Sequence, residues 1–326
     1  MRAALASSCD AEPLVLPLRD VQVLGDNKQS LVRGIPAEVG TPPQKIVLLP
    51  WAYVHTRLLL HSTDLDSDLN NTIIYNSEPY CMNDTMYSEK SCMVKRGGLF
   101  NDKNSTSFTK AKNLIEAGGA PNETIFKGSV YGIKTLPEKS IGGIDKLKLE
   151  GAVEIPKFSF GIPTSNWDDS HTTLSALGLG RNSTYLNALR KAEQIPSRVW
   201  SIIWGQFGRE KPFDGSLMLG GYDEAKVTGK NYTAPLVYDH FDKPQGCYTG
   251  MRATVRDITI NFVGGTNASL FTAGTALNFC IDPAHHLLMQ APTDVFDKFK
   301  TIAGVEGGHS TSDLHWMAFQ PSKRKQ

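Results

Sequence analysis

The sequence predicts a mostly-β protein. Short runs that alternate apolar and polar residues recur along the chain, as half-buried antiparallel strands do. Turn-forming residues separate them, with 29 glycines and 18 prolines among 326 residues. Helical periodicity, by contrast, is confined to two places, and sparse helices among many strands define an all-β class.

The elements follow in order. Lys45–Leu49 is a compact β-like run, Lys146–Leu149 and Val153–Ile162 alternate, and Leu217–Leu219 is a short strand entering a Gly-Gly turn. Met251–Val255 and Ile258–Phe262 repeat the alternating pattern. Asn182 or Ser183 caps a helix that runs through Ala192, with Tyr185, Leu186 and Leu189 on one face. Thr293 caps a second helix with Val295, Phe296, Phe299 and Ile302 turned inward, and Gly304 ends it. The stretch 61–122 is polar and rich in glycosylation sequons, and is expected to be a loop-rich, exposed insertion.

Composition narrows the function classes. Hydrophobic residues make up 40% and charged residues 21%, the balance of a globular chain with real cores. The formal net charge is +1, and the only basic run is Lys323-Arg324-Lys325, so no nucleic acid is expected as a partner. No apolar stretch is long enough for a membrane span. Residues 1–16 start with Arg2 and small residues but almost no apolar core, and read as the remnant of an export signal.

Secretion is argued better by the sequons. Asn-x-Ser/Thr occurs at Asn70, Asn83, Asn104, Asn122, Asn182, Asn231 and Asn267, and the pattern marks exposed loops of exported chains. Cysteine usage agrees with an oxidising compartment. Cys81 and Cys92 lie close together in a turn-rich stretch that suits a small disulfide loop. Cys247 and Cys280 lie near β-like segments and form the second expected bridge, which leaves Cys9 free. No Cys/His ligand spacing occurs, so neither a metal site nor a cofactor is expected.

Three ordered segments add a resemblance. Val39-Gly40-Thr41-Pro42-Pro43-Gln44, followed by Lys45–Leu49, resembles the strand pair that leads into the first catalytic loop of pepsin-like aspartic proteases. Ala176-Leu177-Gly178-Leu179-Gly180 is similar to the family's turn before its amphipathic helix. Gly215-Ser216-Leu217-Met218-Leu219-Gly220-Gly221-Tyr222-Asp223 resembles the strand and turn near the junction of its lobes. The glycosylated, insertion-rich form is most similar to secreted fungal members.

The resemblance implies an all-β, two-lobed fold with a cleft. Lobe boundaries are expected at 17–210 and 211–326, the second lobe being truncated relative to the family. Each lobe of an active member contributes one aspartate. Two carboxyls sharing one site cannot both ionise, so one stays protonated while the other activates water. In this chain the first position falls on Pro50 or Trp51, and no acidic residue occurs between Glu38 and Asp64. The second position keeps Asp282, but Pro283 and Ala284 replace the family's hydroxyl residue and glycine. His55 and the pair His285-His286 read as structural residues, since neighbours on a strand face opposite ways. Tyr131-Gly132 resembles the flap that covers substrate.

The expectation is therefore a secreted, non-catalytic member of the family that binds a peptide or a cell-surface ligand. Its rivals are an active aspartic endopeptidase with an atypical dyad and a truncated, non-functional product.

Overall fold

Among the described residues, ten strands and two α-helices build the first of two units into which the chain divides, and the change falls between Thr233 and Ala234. The computed structural model describes residues 11–51, 71–76, 89–120, 140–163, 174–206, 213–227, 229–230, 232–235, 251–262, 264–281, 292–304, 309–310 and 317–318. Among them the protein is mostly β, as its sequence predicts.

The first unit carries β1 (Leu14–Gln22), β2 (Leu31–Val39), β3 (Gln44–Trp51) and β4 (Thr72–Ile73). Helix α1 (Glu89–Arg96) follows, then β5 (Thr109–Ala111), β6 (Ser140–Leu149), β7 (Ile155–Pro163) and β8 (Ser175–Gly178). Helix α2 (Thr184–Lys191), β9 (Trp200–Ile203) and β10 (Gly215–Leu219) complete it. The strands form one sheet in the order β5-β6-β7-β4-β8-β3-β2-β1-β10-β9. An additional β6–β2 pairing closes the middle of that sheet into a barrel, which removes the free edges of its strands.

β2 and β6 serve three partners each, and β1 divides its length between two. The first half of β1 pairs with β10, Leu14 opposite Leu219 through Leu18 opposite Gly215, and its second half pairs with β2. β10 lies beyond the sequence-based boundary at residue 210, yet its pairs with β1 and β9 join it to this unit.

The core explains the patterning. Leu16, Ile35, Val39, Leu48, Phe160, Leu177, Leu189 and Leu217 are inaccessible to solvent. Each such side chain contributes about 1.5–3 kcal/mol of burial free energy. β3 is buried continuously from Ile46 to Trp51, on both faces, so it reads as an unbroken apolar run and not as an alternating one.

Helix α2 is capped by Ser183, settling the choice between Asn182 and Ser183. The Ser183 hydroxyl accepts from the Leu186 N–H at 3.1 Å and donates to the Gly178 carbonyl at 2.6 Å. Tyr185, Leu186 and Leu189 are buried on the expected face.

The expectation of an exposed insertion over 61–122 is corrected for its described parts. Residues 71–76 are all buried, and Phe100 and Leu114 are completely enclosed. Phe100 packs edge-on against Phe160 with ring centroids 5.7 Å apart. Arg96, itself buried, lies 4.0 Å over the Tyr75 ring. A few well-placed aromatic and aliphatic anchors thus bring a polar stretch onto the sheet.

The second unit carries β11 (Arg252–Val255), β12 (Thr259–Asn261), β13 (Asn267–Ser269), β14 (Leu277–Cys280), α3 (Thr293–Ala303), β15 (His309–Ser310) and β16 (Met317–Ala318). β11 pairs with β14, β12 with β13 and β15 with β16, each in a two-stranded sheet. Its described core is small: Leu270, Phe271 and Val295 are buried, and Phe279 stacks on Phe271 at 6.4 Å. Asp257 staples the loops below it. The Ser269 hydroxyl and the Phe271 and Ile258 N–H groups all donate to its Oδ1, and these bonds, Ser269 first, hold the carboxyl below its ordinary range.

Two expectations for α3 are corrected. Pro292, extended at φ −52° and ψ 151°, occupies the cap position, and Thr293 is the first helical residue, with no side-chain cap bond. Only Val295 is fully buried, whereas Phe296, Phe299 and Ile302 are half-buried. Two-stranded sheets are too narrow to cover the whole helix face. Gly304 ends the helix in the left-handed conformation, as expected.

Candidate functional site

β3 is the element that leads to the first candidate position, and its register is set by β8. The two run parallel, with Pro50 opposite Leu177 and Trp51 opposite Gly178. The Leu179 N–H donates to the Trp51 carbonyl at 2.8 Å, continuing the ladder past the strand ends.

Both candidate residues are buried, Trp51 at 6% exposure. The Trp51 Nε1 donor has no hydrogen-bond partner among the described residues, and neither has the Thr72 hydroxyl on nearby β4. Neither the proline nor the tryptophan side chain ionises near neutral or acidic pH, so neither can act as the acid or base of a carboxyl pair. The end of β3 therefore holds an apolar plug with one unpaired donor.

The turn feeding β3 is held by a polar network that the sequence reading missed. Gly40 adopts φ 81°, and a side chain there would collide with the Ser105 hydroxyl. Ser105 and Ser107 each donate to the buried Asp145 carboxylate at 2.6 Å, one to each oxygen. The Lys146 N–H adds a third bond at 2.8 Å, and the Thr41 N–H donates to Ser105 Oγ at 3.0 Å. Every oxygen of Asp145 is engaged, so this carboxylate fastens β6 to the β2–β3 turn and is not free for chemistry. Its only signal in the sequence is a hydroxyl-rich run, Ser105-Thr106-Ser107, with no local partner.

Asp282, Tyr131, Gly132, His55, His285 and His286 lie outside the described residues, as do Cys9, Cys81 and Cys247. So do the sequons at Asn70, Asn83, Asn122 and Asn231. Cys280 ends β14, with only its backbone described. Cys92 is buried on α1. The three described sequon asparagines, Asn104, Asn182 and Asn267, are all exposed. Among the described residues no group of His, Cys, Asp or Glu is placed to hold a metal ion, and no helix is long and apolar enough to cross a membrane.

No family model matches the chain, and no curated protein matches it. Among solved structures it is similar to an aspartic proteinase from Irpex lacteus, at 15% sequence identity and a TM-score of 0.46. That similarity covers 94% of this chain and 72% of the proteinase.

Proposed function

We propose that this chain is a secreted, non-catalytic protein of the pepsin-like type that binds a peptide or a cell-surface ligand. The observation that carries the reading is the buried Pro50-Trp51 pair at the end of β3. By the resemblance of the preceding turn and strand, this is where an active member places its first aspartate. Water activation by a carboxyl pair needs one group charged and one protonated, and a single Asp282 has no such partner at this position.

Secretion and glycosylation are supported by seven sequons, of which the described three are exposed. A Cys81–Cys92 bridge is proposed with them. What supports it is the close spacing of the two cysteines and the burial of Cys92. Cys247–Cys280 remains the second proposed bridge, and Tyr131-Gly132 the proposed flap.

The test is proteolysis of unfolded protein substrates across acidic pH, with and without an aspartic-protease inhibitor. No turnover is expected, and Asp282→Asn is expected to change nothing. Inhibitor-sensitive cleavage that disappears in Asp282→Asn would replace this reading with an active endopeptidase using an atypical dyad.

A further inference from the structure

We propose that Asn104 is an N-glycan site that is modified only before its own turn closes, so that folding and modification compete for it. The proposal rests on the secretory reading above. Attachment forms a bond from the Asn104 Nδ2 to the anomeric carbon of a lipid-pyrophosphate-linked oligosaccharide. The anomeric carbon–oxygen bond breaks, the lipid pyrophosphate leaves, and the amide loses one proton. The transferring enzyme reads the asparagine together with the hydroxyl two residues on, here Thr106.

In the folded protein Asn104 itself is exposed. The rest of its sequon is held in place by hydrogen bonds, although Thr106 itself is exposed. Asn104 ends a 3-10 turn (Asp102–Asn104), with its N–H on the Asn101 carbonyl at 3.1 Å. Ser105 is buried with its hydroxyl on Asp145 at 2.6 Å. Thr106 is bound at both ends, its N–H to the Thr41 carbonyl at 2.8 Å and its hydroxyl to the same oxygen at 3.2 Å. Presenting this sequon to an enzyme therefore requires opening the Asp145 network, which is a local unfolding event.

The experiment incubates the unglycosylated full chain with an oligosaccharyltransferase and a lipid-linked donor, and reads each sequon by mass spectrometry of glycopeptides. One sample is folded and one is unfolded in a urea concentration that the enzyme tolerates. Asn104 in the folded sample is expected to react at least about tenfold more slowly, the ratio expected of a site that reacts only when open. Asp145→Asn is expected to speed modification of the folded chain at Asn104 while leaving Asn182 and Asn267 unchanged. Equal rates in folded and unfolded samples would overturn the proposal, and so would an Asp145→Asn effect spread equally over all three sites. Secretory expression separates this from the underlying reading. A chain recovered with no glycan at any sequon defeats the secretory assignment and leaves the comparison of folded and unfolded rates standing.

Discussion

Removing one oxygen atom from the core of the first unit should make the protein more stable. Tyr185 is 1% exposed, its ring meets Phe158 edge-on at 5.7 Å, and its hydroxyl has no partner among the described residues. A buried hydroxyl left unpaired costs about 1–3 kcal/mol relative to water. Tyr185→Phe keeps the ring contact and removes that cost. The small void left behind offsets part of the gain through lost dispersion contacts. The expected net effect is a stabilisation of about 1 kcal/mol, or roughly 2–4 °C in Tm for a unit of this size.

A second signature comes from pH. Burial pushes the Tyr185 phenol well above its ordinary value of 10.0. A raised folded-state pKa means the unfolded chain ionises first. The associated stability is complete below about pH 10 and is lost as pH climbs towards the folded pKa, at about 1.4 kcal/mol per pH unit. Urea unfolding of both proteins from pH 7 to 11 should give a constant difference below pH 10. Above it, the difference should widen in favour of the phenylalanine variant. A variant destabilised by more than 1 kcal/mol at pH 7, with no widening above pH 10, would show that the hydroxyl has a bonding partner and refute the reasoning.

The other predictions concern single fastenings. Asp145→Ala should destabilise by about 1–3 kcal/mol in urea unfolding, because it leaves the buried Ser105 hydroxyl without its acceptor and removes one bond from Ser107. Gly215→Ala should cost about 1–3 kcal/mol by the same measurement, since its Cβ would stand 2.0 Å from the Ile203 carbonyl oxygen on the paired strand. Non-reducing peptide mapping should link Cys92 to Cys81, and Cys92→Ala should lower stability by about 2–4 kcal/mol. A map joining Cys92 to Cys247 or Cys280 instead would refute that pairing.

How much of this was legible in the sequence depends on the range of the interaction. Local signals read true: the unbroken run in β3, the alternation of Lys146–Leu149 in β6, the three buried residues of the helix capped at Asn182 or Ser183, and the Gly304 stop all follow from neighbours a few residues apart. The polar stretch after residue 70 misled for the opposite reason. Its buried anchors Tyr75, Phe100 and Leu114 are scattered among polar residues and show no period, and only the tertiary contacts reveal their role. β1 was missed because Pro17 interrupts its pattern and its two halves answer to different partners. At the candidate site the sequence shows no acidic residue between Glu38 and Asp64, but leaves open whether Pro50 or Trp51 holds the position. The pairing of both residues with β8 and their burial come from tertiary contacts, which no local pattern encodes.

The split pairing of β1 also governs how the chain matures on the ribosome. Leu16 and Leu18 emerge early, yet the strand that shields them is Gly215–Leu219, near the far end of the same unit. Until that segment leaves the exit tunnel, half of β1 waits with its backbone and apolar side chains unpaired. Contacts of such long separation form late and slowly. The first unit therefore folds as a whole after most of it has been synthesised, and during that interval the nascent chain presents a sticky strand that chaperones are suited to hold.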